Sequence, residues 1–320
     1  MLRETDVAAI IADWQDHHAK LFGRHALQLS HRLAESPLFS DEALARLIET
    51  APRDAYHVNY SQKTPGNPPR RREGEIKDLP GRAVLDAVRD GNIWINLTAP
   101  DRLDPSYGKL VDDIYAEFEA HVPGLKTYKR RLTLLISSPG VSVKYHSDVP
   151  GQTLWQVRGA KKLYVYPAGA PFISQPALER LILGELRETD MPFEPWYDDF
   201  ATVYDLTPGT MLHWPLNGPH RVVNENVLNV SFTTEHWTDE LRRSYAVNYA
   251  NGIIRKVTGT TAPLSQTTEG LGYYGKLALA GAVKFSPLNP QKQKRYEVDF
   301  RVAPGQPDSI RDIPSYAFVK

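Results

Sequence analysis

The feature that most limits the fold is a succession of short segments rich in β-branched and aromatic residues, each closed by a turn. Between Arg131 and Tyr166 they are Leu132 to Ser137, Val141 to His146, Thr153 to Val157 and Lys162 to Tyr166, parted by Pro139-Gly140 and Gly159 among others. A mixed stretch from Pro167 to Asp199 interrupts the pattern. It resumes with Thr202 to Leu206, Thr210 to Trp214, Arg221 to Asn224 and Val227 to Thr234. Such segments read as successive antiparallel strands. Many of them around turn residues imply a barrel or double-sheet jelly roll.

The flanks read differently. Asp6 to Leu21 is amphipathic and predicts a helix, Ser40 is placed to cap a second helix running through Glu49, and Ala83 to Arg89 and Tyr107 to His121 predict two more. Ile93 to Leu97 is strand-like. Residues 61–80 hold four prolines, two glycines and the run Arg70-Arg71-Arg72, which predicts an exposed loop. A helix from Thr238 to about Lys256 leads into a tail without clear pattern. The reading is therefore a mainly β chain with flanking α: an N-terminal helical and mixed region (1–130), a β core (131–237, with an insertion at 167–199) and a C-terminal helical extension and tail (238–320). No internal repeat is evident.

At 320 residues the chain can bury a sizeable core without staples, and it has no cysteine. Thiolate zinc sites, thiol nucleophiles and cysteine-held clusters are excluded, and a reducing compartment fits. The 38 basic and 38 acidic residues cancel, so no general attraction to nucleic acid or anionic membrane is expected. The apolar run Val7 to Ala12 is too short for a signal peptide, and no run could cross a bilayer. A cytoplasmic location is the expectation.

Within the β region, Tyr145-His146-Ser147-Asp148 places an imidazole and a carboxylate at i and i+2, on one face of a strand. Downstream, Pro208-Gly209 and Pro215 frame a turn, a strand and a second turn that put His220 at the start of the next strand. Two histidines and one carboxylate cap one face of an octahedral ion and leave positions open, as in non-haem Fe(II) oxygenases. The alternative is that His146 and His220 are barrel residues satisfied by backbone carbonyls, with Asp148 a turn residue before Pro150. His213 competes for the third position, although its place on the preceding strand favours packing. His17, His18 and His25 suit the surface.

Lys161 adds separate chemistry. Lys161 and Lys162 are adjacent on a strand, so one of them points inward, where an ammonium is costly unless it meets an anion. The alternative is an edge strand protected by two lysines. Gly270-Leu271-Gly272-Tyr273-Tyr274-Gly275 formally matches a dinucleotide fingerprint, but Ser265 to Glu269 before it is not an apolar strand, and a turn before a helix is the simpler reading. The arginine run fits either an acidic partner or a solvated loop.

From Leu134-Leu135-Ile136 through Gly140, His146 and Asp148 to Gly159-Ala160-Lys161, and again at Gly209, Pro215 and His220, the chain resembles the JmjC and cupin-like family of Fe(II)/2-oxoglutarate oxygenases. The likeness is greatest to the branch containing the asparaginyl hydroxylase that modifies hypoxia-inducible factor, and it spans residues 131–168 and 202–237. It implies a double-stranded β-helix core, Fe(II) held by His146, Asp148 and His220, and 2-oxoglutarate as co-substrate, its distal carboxylate paired with Lys161. Gln152 and Ser231 fall where that hydroxylase has asparagines near the co-substrate. Val143 replaces a threonine that binds the 2-oxoglutarate carboxylate there, so that hydrogen bond must come from elsewhere, for instance a tyrosine. The reaction implied is hydroxylation of a protein side chain or small molecule by dioxygen, coupled to decarboxylation of 2-oxoglutarate to succinate. Because Asp148 is retained, halogenation is disfavoured. Trp155, Trp214 and Tyr164 are candidate aromatic walls, and helices after Trp237 are implied to form a homodimer interface. The rival functions are a cupin metalloenzyme without 2-oxoglutarate, which has no requirement for Lys161, and a non-catalytic barrel. Specificity is expected to reside in residues 61–80, 167–199 and the tail after 257.

Overall fold

The computed structural model describes residues 9–62, 70–186, 190–287, 289 and 295–320. Among these, fourteen strands form two sheets. The larger runs in the order β1 (Leu27–Ser30), β10 (Thr210–His213), β7 (Gly151–Arg158), β12 (Asn229–Trp237), β5 (Tyr128–Ser137), β4 (Ile93–Thr98), β2 (Tyr56–Gln62), β3 (Arg70–Glu75), β13 (Arg295–Val302) and β14 (Ile310–Val319). The smaller runs β6 (Ser142–His146), β11 (His220–Asn224), β8 (Lys161–Val165), β9 (Thr202–Leu206). All eight strands expected between Arg131 and Thr234 are present, and the chain is mainly β with helices packed on it.

Strand alternation sorts the core into two layers. Leu154 on β7 joins Leu163, Val165, Leu206, Leu212, Trp214 and Val222 in the layer between the sheets. Its neighbours Trp155 and Val157 point the other way, into a larger core shared with helices α2 (Asp41–Thr50), α3 (Gly81–Asp90) and α4 (Pro105–His121). Full burial of each such aliphatic side chain contributes about 2 kcal/mol. Helix α2 starts where the sequence expects it, with Ser40 Oγ accepting from the Ala43 amide at 3.2 Å and Asp41 and Glu42 in the first turn. Helices α2 and α3 pack so closely that a Cβ on Gly81 would lie 1.9 Å from the Ala45 carbonyl oxygen.

Three expectations fail. Of the helix foreseen from Asp6 to Leu21, only α1 (His18–Leu21) forms, residues 1–8 lying outside the described part. The Ile10 and Ile11 amides instead donate to the Glu117 carboxylate at 2.8 and 2.9 Å, and Ile11 bridges His31, so tertiary hydrogen bonds override a weak helical preference. The arginine run is no loop but strand β3, with Arg72 donating to Asp299 at 3.0 Å and Asp312 at 2.6 Å; residues 63–69 lie outside the described part. The tail left unassigned contains strands β13 and β14, which extend the main sheet. The glycine motif opens helix α7 (Gly270–Lys284) with no strand before it, which removes the dinucleotide reading. Helices α5 (Gln175–Ile182), inside the insertion, and α6 (Asp239–Thr258) are the remaining α-helices among the described residues. No helix among the described residues is long and apolar enough to cross a membrane.

Candidate metal centre

His146 ends β6 and His220 opens β11, and the two strands pair with these residues opposite each other. Their ring centroids are 4.1 Å apart, and Asp148 Oδ2 lies 3.4 Å from His220 Nε2. One potential ligand atom from each of the three falls within 4.8 Å of the others. The alternative noted from sequence, satisfaction by backbone carbonyls, is met at one nitrogen of each ring: Nδ1 of His146 lies 2.7 Å from the Lys144 carbonyl and Nδ1 of His220 lies 3.1 Å from that of Gly218. A carbonyl only accepts, so Nδ1 carries the proton and Nε2 is left as the basic nitrogen, which is the arrangement that orients metal-binding imidazoles. Burial, and then the adjacent His146, holds the pKa of His220 well below its ordinary value, so the ring is neutral and able to ligate.

Lys161 is the inward lysine. Along β8 and β11 the register pairs Lys161 with Asn224 and Val165 with His220, so Lys161 and His220 share the inner face of the smaller sheet, four residues apart or roughly 13 Å along the strand. Gly159 permits the approach, with φ +73° and a Cβ position only 2.3 Å from the Leu228 carbonyl. The ammonium is buried, donates to Ser231 Oγ at 2.8 Å, and has no carboxylate partner among the described residues. Burial pushes its pKa down to about 7. Lys162 points outward and pairs with Asp205 at 2.5 Å. Strand β8 lies between β11 and β9, so edge protection does not explain the pair.

Other candidates divide. Ser231 contacts Lys161 directly, whereas Gln152 shares Leu154's face of β7 and reaches Glu235 at 3.5 Å. Trp214 lies beside the centre, 4.5 Å from the His220 ring. Trp155 faces the helical core and donates to Thr234 Oγ1 at 3.0 Å, and Tyr164 faces outward under Arg221, so neither is a wall of the site. His213 is a packing residue, stacked on Phe22 and near Thr153 Oγ1 at 3.0 Å, with Nε2 accepting from the Gly23 amide. Sequence reading missed Tyr204. It packs against the inter-sheet layer, opposite Leu163 on β9, and its hydroxyl makes no hydrogen bond among the described residues. Leu206 two places on is an inward residue, and that alternation was the available signal.

The donor set of two imidazoles and a carboxylate suits a six-coordinate divalent iron, and a buried ammonium lacking a counter-anion suits a carboxylate ligand on the same inner face. No family model matches the chain, and no curated protein matches its sequence. Among solved structures it is similar to Escherichia coli YcfD, with 15% identity over 90% of this chain and 74% of that one and a TM-score of 0.50. A structure of the same protein, described as a ribosomal oxygenase in complex with cobalt and 2-oxoglutarate, gives 15% identity over 91% and 74% with a TM-score of 0.48. At this identity the likeness is one of fold.

Proposed function

We propose that this chain is an Fe(II)- and 2-oxoglutarate-dependent oxygenase of the JmjC and cupin-like type, nearest the asparaginyl hydroxylase branch, with a double-stranded β-helix as catalytic unit over residues 131–237. The observation that carries this reading is the pairing of the His146, Asp148 and His220 cluster with a counter-ion-less Lys161 on the same inner face. A cupin metalloenzyme without 2-oxoglutarate, or a non-catalytic barrel, has no use for that ammonium. The YcfD-like fold is consistent with the reading, and the substrate proposed is a protein side chain or a small molecule.

In this reading His146 and His220 give their Nε2 atoms and Asp148 its carboxylate to the iron, while Lys161, supported by Ser231, holds the distal carboxylate of 2-oxoglutarate. Tyr204 is the inward hydroxyl available where Val143 offers none. Leu154, Leu163, Leu212 and Val222 keep the space between sheets dry, which strengthens the ion pair. Bound iron and 2-oxoglutarate supply the oxidising chemistry, in which dioxygen decarboxylates the co-substrate to succinate and oxidises a substrate C–H bond.

The test is anaerobic titration of 2-oxoglutarate into Fe(II)-loaded protein, followed by the visible metal-to-ligand charge-transfer band. The band is expected in the wild type, at much higher 2-oxoglutarate in Lys161→Ala, and not at all in His146→Ala. Tight iron binding with no band would transfer the site to other cupin chemistry.

A further inference from the structure

The insertion between β8 and β9 exposes a row of large rings. Phe193, Trp196 and Phe200 are 38%, 44% and 59% exposed, and Val203 continues the surface onto β9. Exposed singly, such residues mean little; four within eleven positions of a chain form a patch. The rings are not loose. Trp196 and Phe200 meet edge to face at 5.8 Å, Phe172 lies against both, and the buried Tyr197 beneath them donates to the Pro171 carbonyl at 3.1 Å. A surface held this rigidly loses little entropy when it is covered.

The same segment is acidic. From Asp190 to His220 the sequence has five carboxylates and neither lysine nor arginine. Asp198 and Asp205 are answered by Arg221 and Lys162, while Asp190, Glu194 and Asp199 are exposed and make no ion pair among the described residues. In a chain of zero net charge this is a local negative field around exposed rings. It repels nucleic acid and anionic membrane and is complementary to arginine and lysine, which gain further from ring faces.

Position ties the patch to the metal centre. Strand β8 leaves the sheet at Val165, the register partner of His220, and β9 re-enters at Thr202, the partner of Val165. The insertion thus springs from the end of the smaller sheet that carries the histidines. Phe193 also packs at 5.2 Å on Tyr145, the residue before His146.

We propose that the aromatic and acidic face of the insertion docks a cationic polypeptide segment and presents its chain to the metal centre. This rests on the oxygenase reading only for what happens to the segment once bound. The experiment uses the full chain loaded with Co(II) and a fluorescent peptide alternating arginine or lysine with leucine, followed by anisotropy at low and high salt, beside a control peptide with glutamate at every basic position. Saturable binding of the cationic peptide alone is expected, weakened by salt, about tenfold or more by Trp196→Ala/Phe200→Ala, and about threefold by Glu194→Gln/Asp199→Asn. The Co(II) absorption spectrum is expected to be unchanged in both variants, which separates docking from damage to the site. No saturable binding, equal binding by the variants, or binding of the acidic control overturns the proposal, as does loss in the variants of binding to neutral phosphatidylcholine vesicles in place of peptide. Failure of the oxygenase reading would show instead as an absent 2-oxoglutarate band with peptide binding intact.

Discussion

Ser147 and Asn217 clasp the two loops that bring the metal-binding residues together. Ser147 Oγ donates to the Asn217 carbonyl at 2.9 Å, and the Asn217 carboxamide donates back to the Asp148 carbonyl at 2.8 Å. One loop carries Asp148 and the other leads through Gly218 into His220, so the clasp fixes the carboxylate relative to the second imidazole. Asn217 has φ +56°, a left-handed conformation that asparagine tolerates better than most residues. Groups that orient metal ligands typically contribute 10- to 100-fold in affinity, roughly the range expected for losing this clasp. Asn217→Gly keeps the backbone freedom and removes only the carboxamide, so it is the clean variant. Competition for Co(II) against a chelator is expected to show about a tenfold weaker site in Asn217→Gly and in Ser147→Ala. Affinity equal to wild type in both would mean that the ligands are positioned by their strands alone.

The state of Lys161 makes co-substrate binding depend on pH. Its folded pKa, about 7, lies below the ordinary 10.5, so between these values the unfolded chain binds a proton that the ligand-free fold does not. Stability of the ligand-free protein therefore gains from this group as pH rises from about 7 toward 10.5, and the cost of burying the charge is fully present below about 7. A dicarboxylate requires the charged form. Its binding above pH 7 must include uptake of a proton, and affinity for 2-oxoglutarate is expected to fall toward tenfold per pH unit in that range. Lys161→Met should bind about 100-fold more weakly at pH 6.5, in line with loss of a hydrogen bond to a charged group, with a flat profile above 7. The same variant should melt higher than wild type in the ligand-free state at pH 6.5. Isothermal titration in two buffers of different ionisation enthalpy measures the proton uptake directly, and zero uptake at pH 8 would contradict the assignment.

What the sequence made legible follows from the range of the forces involved. Strands β5 to β12 could be read because turn residues bound them and alternation is local. The His146 and Asp148 pair stood out because the two are only two positions apart, although β6 ends at His146 and Asp148 lies in the loop beyond it, not on the strand face expected. The face taken by Trp155 and Tyr164 depended on register, and a slip of one residue exchanges the two faces. The extended segment at Ile10 and Ile11 was hidden because what straightens it is Glu117, on a helix more than a hundred positions away. The place of strand β13 in the sheet was hidden for a similar reason. Arg295 to Val302 does alternate charged residues with Tyr296, Val298, Phe300 and Val302, a period-2 strand signal. Its parallel partner β3, however, lies more than two hundred positions away, and pairs such as Arg301 with Glu75 at 2.6 Å are visible only in the fold.

Helix α7 makes the last prediction. Leu271, Tyr274, Ala278, Ala282 and Phe285 are exposed, the first and last at 91% each, and at 100° per residue they fall within about 80° of one another around the helix. Tyr273 and Ala280, the buried residues of α7, lie on the opposite side, where Ala280 packs with Tyr249 and Ala250 of α6. One face of the helix is therefore fastened to the protein while the other presents an apolar stripe. The small residues Ala278 and Ala282 at its middle allow a second helix to approach closely, and an antiparallel pairing of two copies would place Leu271 of each against Phe285 of the other, a self-complementary two-fold contact. The chain is expected to scatter light as twice its 36.1 kDa mass, and Leu271→Glu/Phe285→Glu to scatter as a monomer with its iron site intact. A wild-type monomer at micromolar concentration would overturn the pairing.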